Sequence, residues 1–176
     1  MRIYLYITAI LISLCCLVVN VVAQEWYPVD VGFQTWDTEF NAIYFTDDKN
    51  GWIVGDQGKI IHTSTGISWK DQNSGVTTDL YGVYFIDSLN GWAVGNYGVI
   101  LRTTDGGQNW RSQQITATEA LYDVEFVTNL RGWIVGSNGT ILSTNDGGQT
   151  WNSEKYSSYD LYSVHFYSPD NGWAVG

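Results

Sequence analysis

Apolar and polar positions alternate along this chain in short runs, and one run recurs four times. Phe40–Phe45, Leu80–Phe85, Leu121–Phe126 and Leu161–Phe166 each carry Phe at the sixth position and Val or Ile at the fourth. Side chains of an extended strand alternate between its faces, so positions four and six share one buried face. A polar turn follows: DDKNG, DSLNG, TNLRG or SPDNG. Three of these four end in Asn-Gly, which supplies positive φ cheaply in a hairpin. The second strand is Gly-Trp-(Ala/Ile)-Val-Gly, starting at Gly51, Gly91, Gly132 and Gly172. Next comes a Gly-x-x-Gly turn: Gly55-Asp56-Gln57-Gly58, Gly95-Asn96-Tyr97-Gly98, Gly136-Ser137-Asn138-Gly139. The pattern predicts a third strand from Ile60, Ile100 or Ile141 and a fourth from Trp69, Trp110 or Trp151.

The Gly-Trp pairs stand 40, 41 and 40 residues apart. A fixed period of about 40 to 45 residues built of short strands is the signature of propeller blades, and four antiparallel strands joined by tight hairpins make one blade. The predicted fold is therefore all-β: a β-propeller of four-stranded antiparallel blades. The blades are expected at about 40–79, 80–120 and 121–160, with residues 161–176 supplying half of a fourth, so that the ring is expected to be incomplete. Residues 24–39 do not fit the repeat. They form a lead-in in which Trp26–Val29 is a candidate strand, with ring closure as one role for it; Pro28 would confine it to a sheet edge.

Residues 1–23 read as a signal peptide: one Arg, an apolar run from Ile3 to Val22, then Val21-Val22-Ala23 before Gln24. An uncleaved anchor is the alternative, since about 20 apolar residues can span a bilayer. Cleavage would leave no membrane span and would remove Cys15 and Cys16, leaving an exported chain with no cysteine. Such a protein, whether periplasmic, extracellular or at the cell surface, would be stabilised by packing without disulfides. Lys and Arg number 8 against 18 Asp and Glu, a net charge of −10. That balance argues against nucleic acid and anionic membranes, both of which require a basic patch.

The third-to-fourth connection carries the most specific motif. Thr103, Asp105, Gly107 and Trp110, and again Thr144, Asp146, Gly148 and Trp151, match the Asp-box S/T-x-D-x-G-x-T-W. Its hydroxyl and carboxylate can accept backbone N–H bonds across the hairpin, and its Gly permits positive φ. The first copy, Thr63-Ser64-Thr65-Gly66, is shorter and lacks the Asp. Together with the Leu-x-x-Val-x-Phe and GWAVG strands, over about residues 40–176, this repeat resembles the Asp-box (bacterial neuraminidase repeat) propellers of the photosystem II stability/assembly factor family. The resemblance implies a seven-bladed propeller that binds a partner polypeptide, without catalysis or cofactor. It also implies an arginine-rich partner surface in photosynthetic members. Here Arg102, Arg111 and Arg131 are the only arginines after Arg2, which sets this chain apart. Asp-boxes also occur in sialidase-like, carbohydrate-active hydrolases, the alternative function.

Candidate chemistry is sparse. A sialidase needs an arginine cluster, a Tyr–Glu nucleophile pair and an acid. Arg102 falls on a third strand and Arg131 in a turn. Asp123 and Glu125 could form a glycosidase carboxylate pair, but their counterparts Gly82/Tyr84 and Ser163/His165 mark them as variable strand positions. His62 and His165 have no further metal ligands at suitable spacing. Asp47-Asp48-Lys49-Asn50-Gly51 reads better as a hairpin turn than as a calcium loop. The column Trp52, Trp92, Trp133 and Trp173 reads as packing between blades, with carbohydrate stacking as the other use. Variation between repeats concentrates in the Gly-x-x-Gly turns and the fourth-to-first connections, which fall at one end of a propeller. Asp56, Gln57, Asp79, Asn96, Tyr97, Glu119, Ser137, Asn138 and Asp160 are therefore the candidate contacts for a protein or peptide partner. The acidic balance favours a partner with a basic segment.

Overall fold

The computed structural model describes residues 18–22, 25–29, 38–113 and 115–176, and for the first two segments the backbone. Val18–Val22 (β1) and Glu25–Val29 (β2) pair antiparallel, Val18 opposite Val29. The strand expected in the lead-in is present, and its hydrogen-bonded partner is β1 and not a blade strand. Most of the segment read as a signal peptide, residues 1–17 and 23, lies outside the described residues.

Three four-stranded antiparallel blades follow. The first is β3 (Phe40–Phe45), β4 (Gly51–Gly55), β5 (Ile60–Thr63) and β6 (Lys70–Gln72). The second is β7 (Leu80–Phe85), β8 (Gly91–Gly95), β9 (Ile100–Thr103) and β10 (Arg111–Ser112). The third is β11 (Leu121–Phe126), β12 (Gly132–Gly136), β13 (Thr140–Thr144) and β14 (Asn152–Lys155). A hairpin of β15 (Ser163–Ser168) and β16 (Asn171–Val175) begins a fourth. Strand order within each blade follows chain order, and the first strands of successive blades pack side by side. Two expectations shift slightly. The fourth strands begin one residue after Trp69, Trp110 and Trp151, because each indole turns inward onto a ring of its own blade. The last first strand runs Ser163–Ser168 and not Leu161–Phe166.

Blades are joined by one repeated aromatic contact. Trp52 of β4 stacks on Phe85 of the next blade at 3.6 Å between centroids and 11° between planes. Trp92 stacks on Phe126 at 3.6 Å and 14°, and Trp133 on Phe166 at 3.9 Å and 19°. The edge of each Phe meets the Asp-box Trp of its own blade: Phe85 with Trp110 at 5.8 Å and Phe126 with Trp151 at 5.9 Å. Trp52 and Trp92 are 0% and 1% exposed, whereas Trp173, with no following blade among the described residues, is 62% exposed. The Trp column is therefore interblade packing in the first three copies.

The first Gly of each Gly-Trp pair follows from the same contact. It sits opposite the Phe across the hairpin, as in Phe126↔Gly132. A Cβ there would lie 2.6 Å from the Phe126 ring, so only glycine lets the ring lie flat between backbone and indole. Buried aromatic rings that are truncated leave large cavities, and we expect Phe126→Ala to cost about 3–5 kcal/mol, with Phe126→Leu intermediate. Denaturant titration of the full chain checks both values.

Candidate functional site

The two ends of the blades differ in how far the fold commits their side chains. At one end the Asp-boxes close the third hairpin. Thr103 Oγ1 accepts from Gly107 N at 2.8 Å and donates to Asp105 Oδ1 at 2.8 Å. Asp105 in turn accepts from Asn109 N at 2.9 Å and from Asn109 Nδ2 at 2.8 Å. The third blade repeats this. Gly148 N donates to Thr144 Oγ1 at 2.9 Å, and Gln149 N and Thr150 N both donate to Asp146 Oδ1 at 2.9 Å. Gly107 and Gly148 carry φ of 84° and 79°, where any side chain is strained. In the degenerate first copy Thr63 Oγ1 still accepts from Gly66 N at 2.9 Å, and Thr65 Oγ1 stands in for the missing carboxylate by accepting from Ser68 N at 3.2 Å. The Asn-Gly turns at this end are braced likewise: Asp47 Oδ1 accepts from Lys49 N and Asn50 N at 2.8 Å. The calcium-like turn is thus a hairpin whose carboxylate already has partners.

At the opposite end the Gly-x-x-Gly turns are single 3-10 turns packed against the fourth-to-first connections, so the candidate contact residues gather there. Asn96 N donates to Asp79 O at 2.9 Å and Ser137 N to Ala120 O at 2.8 Å. Asp79 Oδ1 accepts from Gln57 N, and Asp160 Oδ1 from Asn138 N, both at 2.9 Å. Asp56 accepts from Asn41 Nδ2 at 2.9 Å. Ser137 Oγ accepts from Ala120 N at 3.1 Å, and Asn96 Oδ1 accepts from Tyr97 N at 3.0 Å. Glu119 pairs with Lys155, whose hydrogen bond is the main reason its carboxyl sits below the usual range. Most of these polar side chains therefore also hold the turns in place.

Gln57, Tyr97 and Asn138 all lie in the left-handed region, at φ of 56°, 54° and 54°. Asn tolerates that region; for a bulky ring it is an outlier. Tyr97 is nevertheless there, 71% exposed.

Beside it runs a feature that sequence reading missed. Tyr81 of β7, Tyr122 of β11 and Tyr162, the residue before β15, form a ladder across the blades, with centroids 5.7 and 5.1 Å apart. The register skips Tyr81 between Leu80 and Gly82, and Tyr122 between Leu121 and Asp123. A bulge re-aims the side chain of its extra residue. The signal was the repeated Leu-Tyr of LYGV, LYDV and LYSV, overshadowed by the buried fourth and sixth positions. Burial, and secondarily the charge of Asp160, raises the Tyr122 phenol.

Asp123 and Glu125 brace neighbouring blades. Asp123 Oδ2 accepts from Val164 N at 2.9 Å and Glu125 Oε2 from Phe166 N at 3.0 Å, both on β15. Burial raises the Glu125 carboxyl, and His165 Nδ1 lies 3.4 Å from its Oε1. Tyr84 takes the same position one blade earlier, donating from its hydroxyl to Phe126 O at 2.7 Å.

Four-stranded blades closed by Thr–Asp–Gly hairpins and stacked Trp on Phe define an Asp-box repeat propeller. The chain belongs to the family described as photosynthesis system II assembly factor YCF48, whose model matches residues 18–118 and 108–176. Among solved structures, it is similar to YCF48 bound to D1 peptide, at TM-score 0.62 and 21% identity, over 77% of this chain and 48% of that one. It is also similar to YCF48 from Cyanidioschyzon merolae, at TM-score 0.69 and 15% identity, over 85% and 56% of the two chains. An ancestral GH74 enzyme shares the fold more distantly, at TM-score 0.51 and 14% identity, over 64% of this chain and 18% of that one. The chain thus spans about half the length of the two YCF48 structures. No curated protein matches.

Hydrogen bonds led by that from Thr150 lower the Asp146 carboxyl from 3.8 to about 2. A depressed carboxyl stabilises the fold above its unfolded value, and that stability is lost as pH falls through its folded value. Asp146→Ala should therefore lower stability by about 1 kcal/mol at neutral pH, and the difference from wild type should vanish towards pH 2. Urea melts of both proteins across this pH range check it.

Proposed function

We propose that this chain is part of an exported, non-catalytic propeller that binds a polypeptide partner through the end carrying the Gly-x-x-Gly turns. One observation carries the reading: Tyr97 occupies a left-handed position that glycine or asparagine would fill without strain, and presents its ring to solvent. Backbone strain retained at an exposed aromatic is characteristic of recognition sites. Around it lie the Tyr81–Tyr122–Tyr162 ladder and the carboxylates of Asp56, Asp79, Glu119 and Asp160. Tyrosine gives large contact area at little entropic cost, and carboxylates beside aromatic faces suit lysine or arginine. The partner is accordingly a protein segment with basic residues. Family membership supports a polypeptide ligand, since a relative is described as bound to D1 peptide. The apolar leader-like composition of residues 1–23 supports export.

The test is the affinity of the full chain for an extended peptide bearing lysine or arginine, compared with the same peptide carrying glutamine and with a D1 peptide. Affinity for the basic peptide should fall as salt rises. Tyr97→Gly should weaken it by about tenfold and leave the melting temperature unchanged or higher, because glycine relieves the positive φ. A Tyr97→Gly protein that binds as tightly as wild type would place recognition elsewhere.

A further inference from the structure

The interface between the second and third blades is not matched internally in the way that between the first and second is. At the first interface Trp52 Nε1 donates to Gly106 O at 3.3 Å. Gln72 makes two bonds there, donating to the same carbonyl at 2.8 Å and accepting from Trp110 Nε1 at 3.1 Å. At the second interface the corresponding donors, Trp92 Nε1 and Trp151 Nε1, are buried without a partner. So is Nε of Arg102, and its first-blade counterpart His62 likewise leaves Nε2 without a partner. Gln113, the counterpart of Gln72, instead lines an open cleft of about 360 Å³. Of these donors Arg102 is the one that lines the cleft, and a buried donor left unmatched is uncommon in native structures.

Two guanidinium groups face that cleft. Arg102 and Arg111 are directly opposed on β9 and β10, an arrangement in which like charges repel. None of the salt bridges among the described residues uses either one. Arg102 lies over the Trp92 ring, with Cζ 5.9 Å from the centroid. The acid that also lines the cleft, Asp105, is occupied by Thr103 and Asn109. In a chain of net charge −10, two adjacent arginines without a carboxylate partner are conspicuous.

We propose that this cleft binds an oxyanion, a carboxylate or phosphate group, held between the Arg102 and Arg111 guanidiniums with the Gln113 amide as a further donor. Guanidinium geometry matches such groups through paired hydrogen bonds, and the charge neutralises the repulsion between the two arginines. The site lies at the Asp-box end, opposite the tyrosine face, so its success or failure is independent of the partner-binding reading.

Thermal unfolding of the full chain in inorganic phosphate, in acetate and in chloride at equal ionic strength tests it. Binding to the folded state raises the midpoint, so phosphate, acetate or both should raise it above chloride. In Arg102→Gln and Arg111→Gln the apparent affinity should weaken about tenfold to a hundredfold, the effect of removing a charged hydrogen bond. A response to phosphate alone assigns a phosphate ligand, and one to acetate alone a carboxylate such as an acidic side chain or chain terminus. Arg111 is exposed on a short outer strand, so Arg111→Gln should fold with an anion-free midpoint no lower than wild type. Equal midpoints in all three salts, or an anion response that survives both substitutions, would overturn the proposal.

Discussion

Phe85, Phe126 and Phe166 each belong to two blades at once, and the rest of the structure depends on that sharing. One face of Phe126 lies on Trp92 of the preceding blade, its edge meets Trp151 of its own blade, and Gly132 leaves room for it across the hairpin. The glycine, the phenylalanine and the two tryptophans of the repeat are therefore one packing unit. This explains why they recur together while the polar positions between them drift. It also explains how a chain whose cysteines lie only at Cys15 and Cys16 holds its blades together: the cross-link is an aromatic stack repeated at every interface.

The two ends of the blades follow from how backbone donors are satisfied. At the Asp-box end, Thr103, Asp105, Thr144 and Asp146 accept from their own hairpins, and their geometry is closed upon itself. At the other end the turns lean on carbonyls and carboxylates of the next connection. The bulges at Tyr81 and Tyr122 turn aromatic rings into a shared surface. One end is thus closed upon its own hairpins, while the other carries aromatic rings and carboxylates that link successive turns.

Substitutions at equivalent positions show how a repeat acquires individual features without losing its fold. Tyr84 and Glu125 occupy the same strand position, and each reaches across to the neighbouring blade: one donates to Phe126 O, the other accepts from Phe166 N. His62 and Arg102 are likewise equivalent. The first stacks on Trp52 at 4.6 Å, and the second places a guanidinium over Trp92, its Cζ 5.9 Å from the ring centroid.

The strands, their order and the braced hairpins were legible in the sequence, because period-two burial, Asn-Gly turns and Thr-x-Asp-x-Gly spacing are local and each constrains only a few neighbouring residues. The Trp column was legible as packing for the same reason: its spacing matches the blade period. Its partner was not, since stacking of Trp52 on Phe85 depends on how two blades meet. The candidate contact residues were found by their variability, and folding does gather them at one end. That Asp79 and Asp160 cap neighbouring turns, that Tyr97 is held at positive φ, and that Tyr81, Tyr122 and Tyr162 line up required coordinates. The bulge, the strained turn and the placement of Arg102 beside Arg111 are matters of register and of contact between elements. A one-dimensional pattern determines which residues are buried in a strand. Only the packed blades decide which of the remaining residues meet.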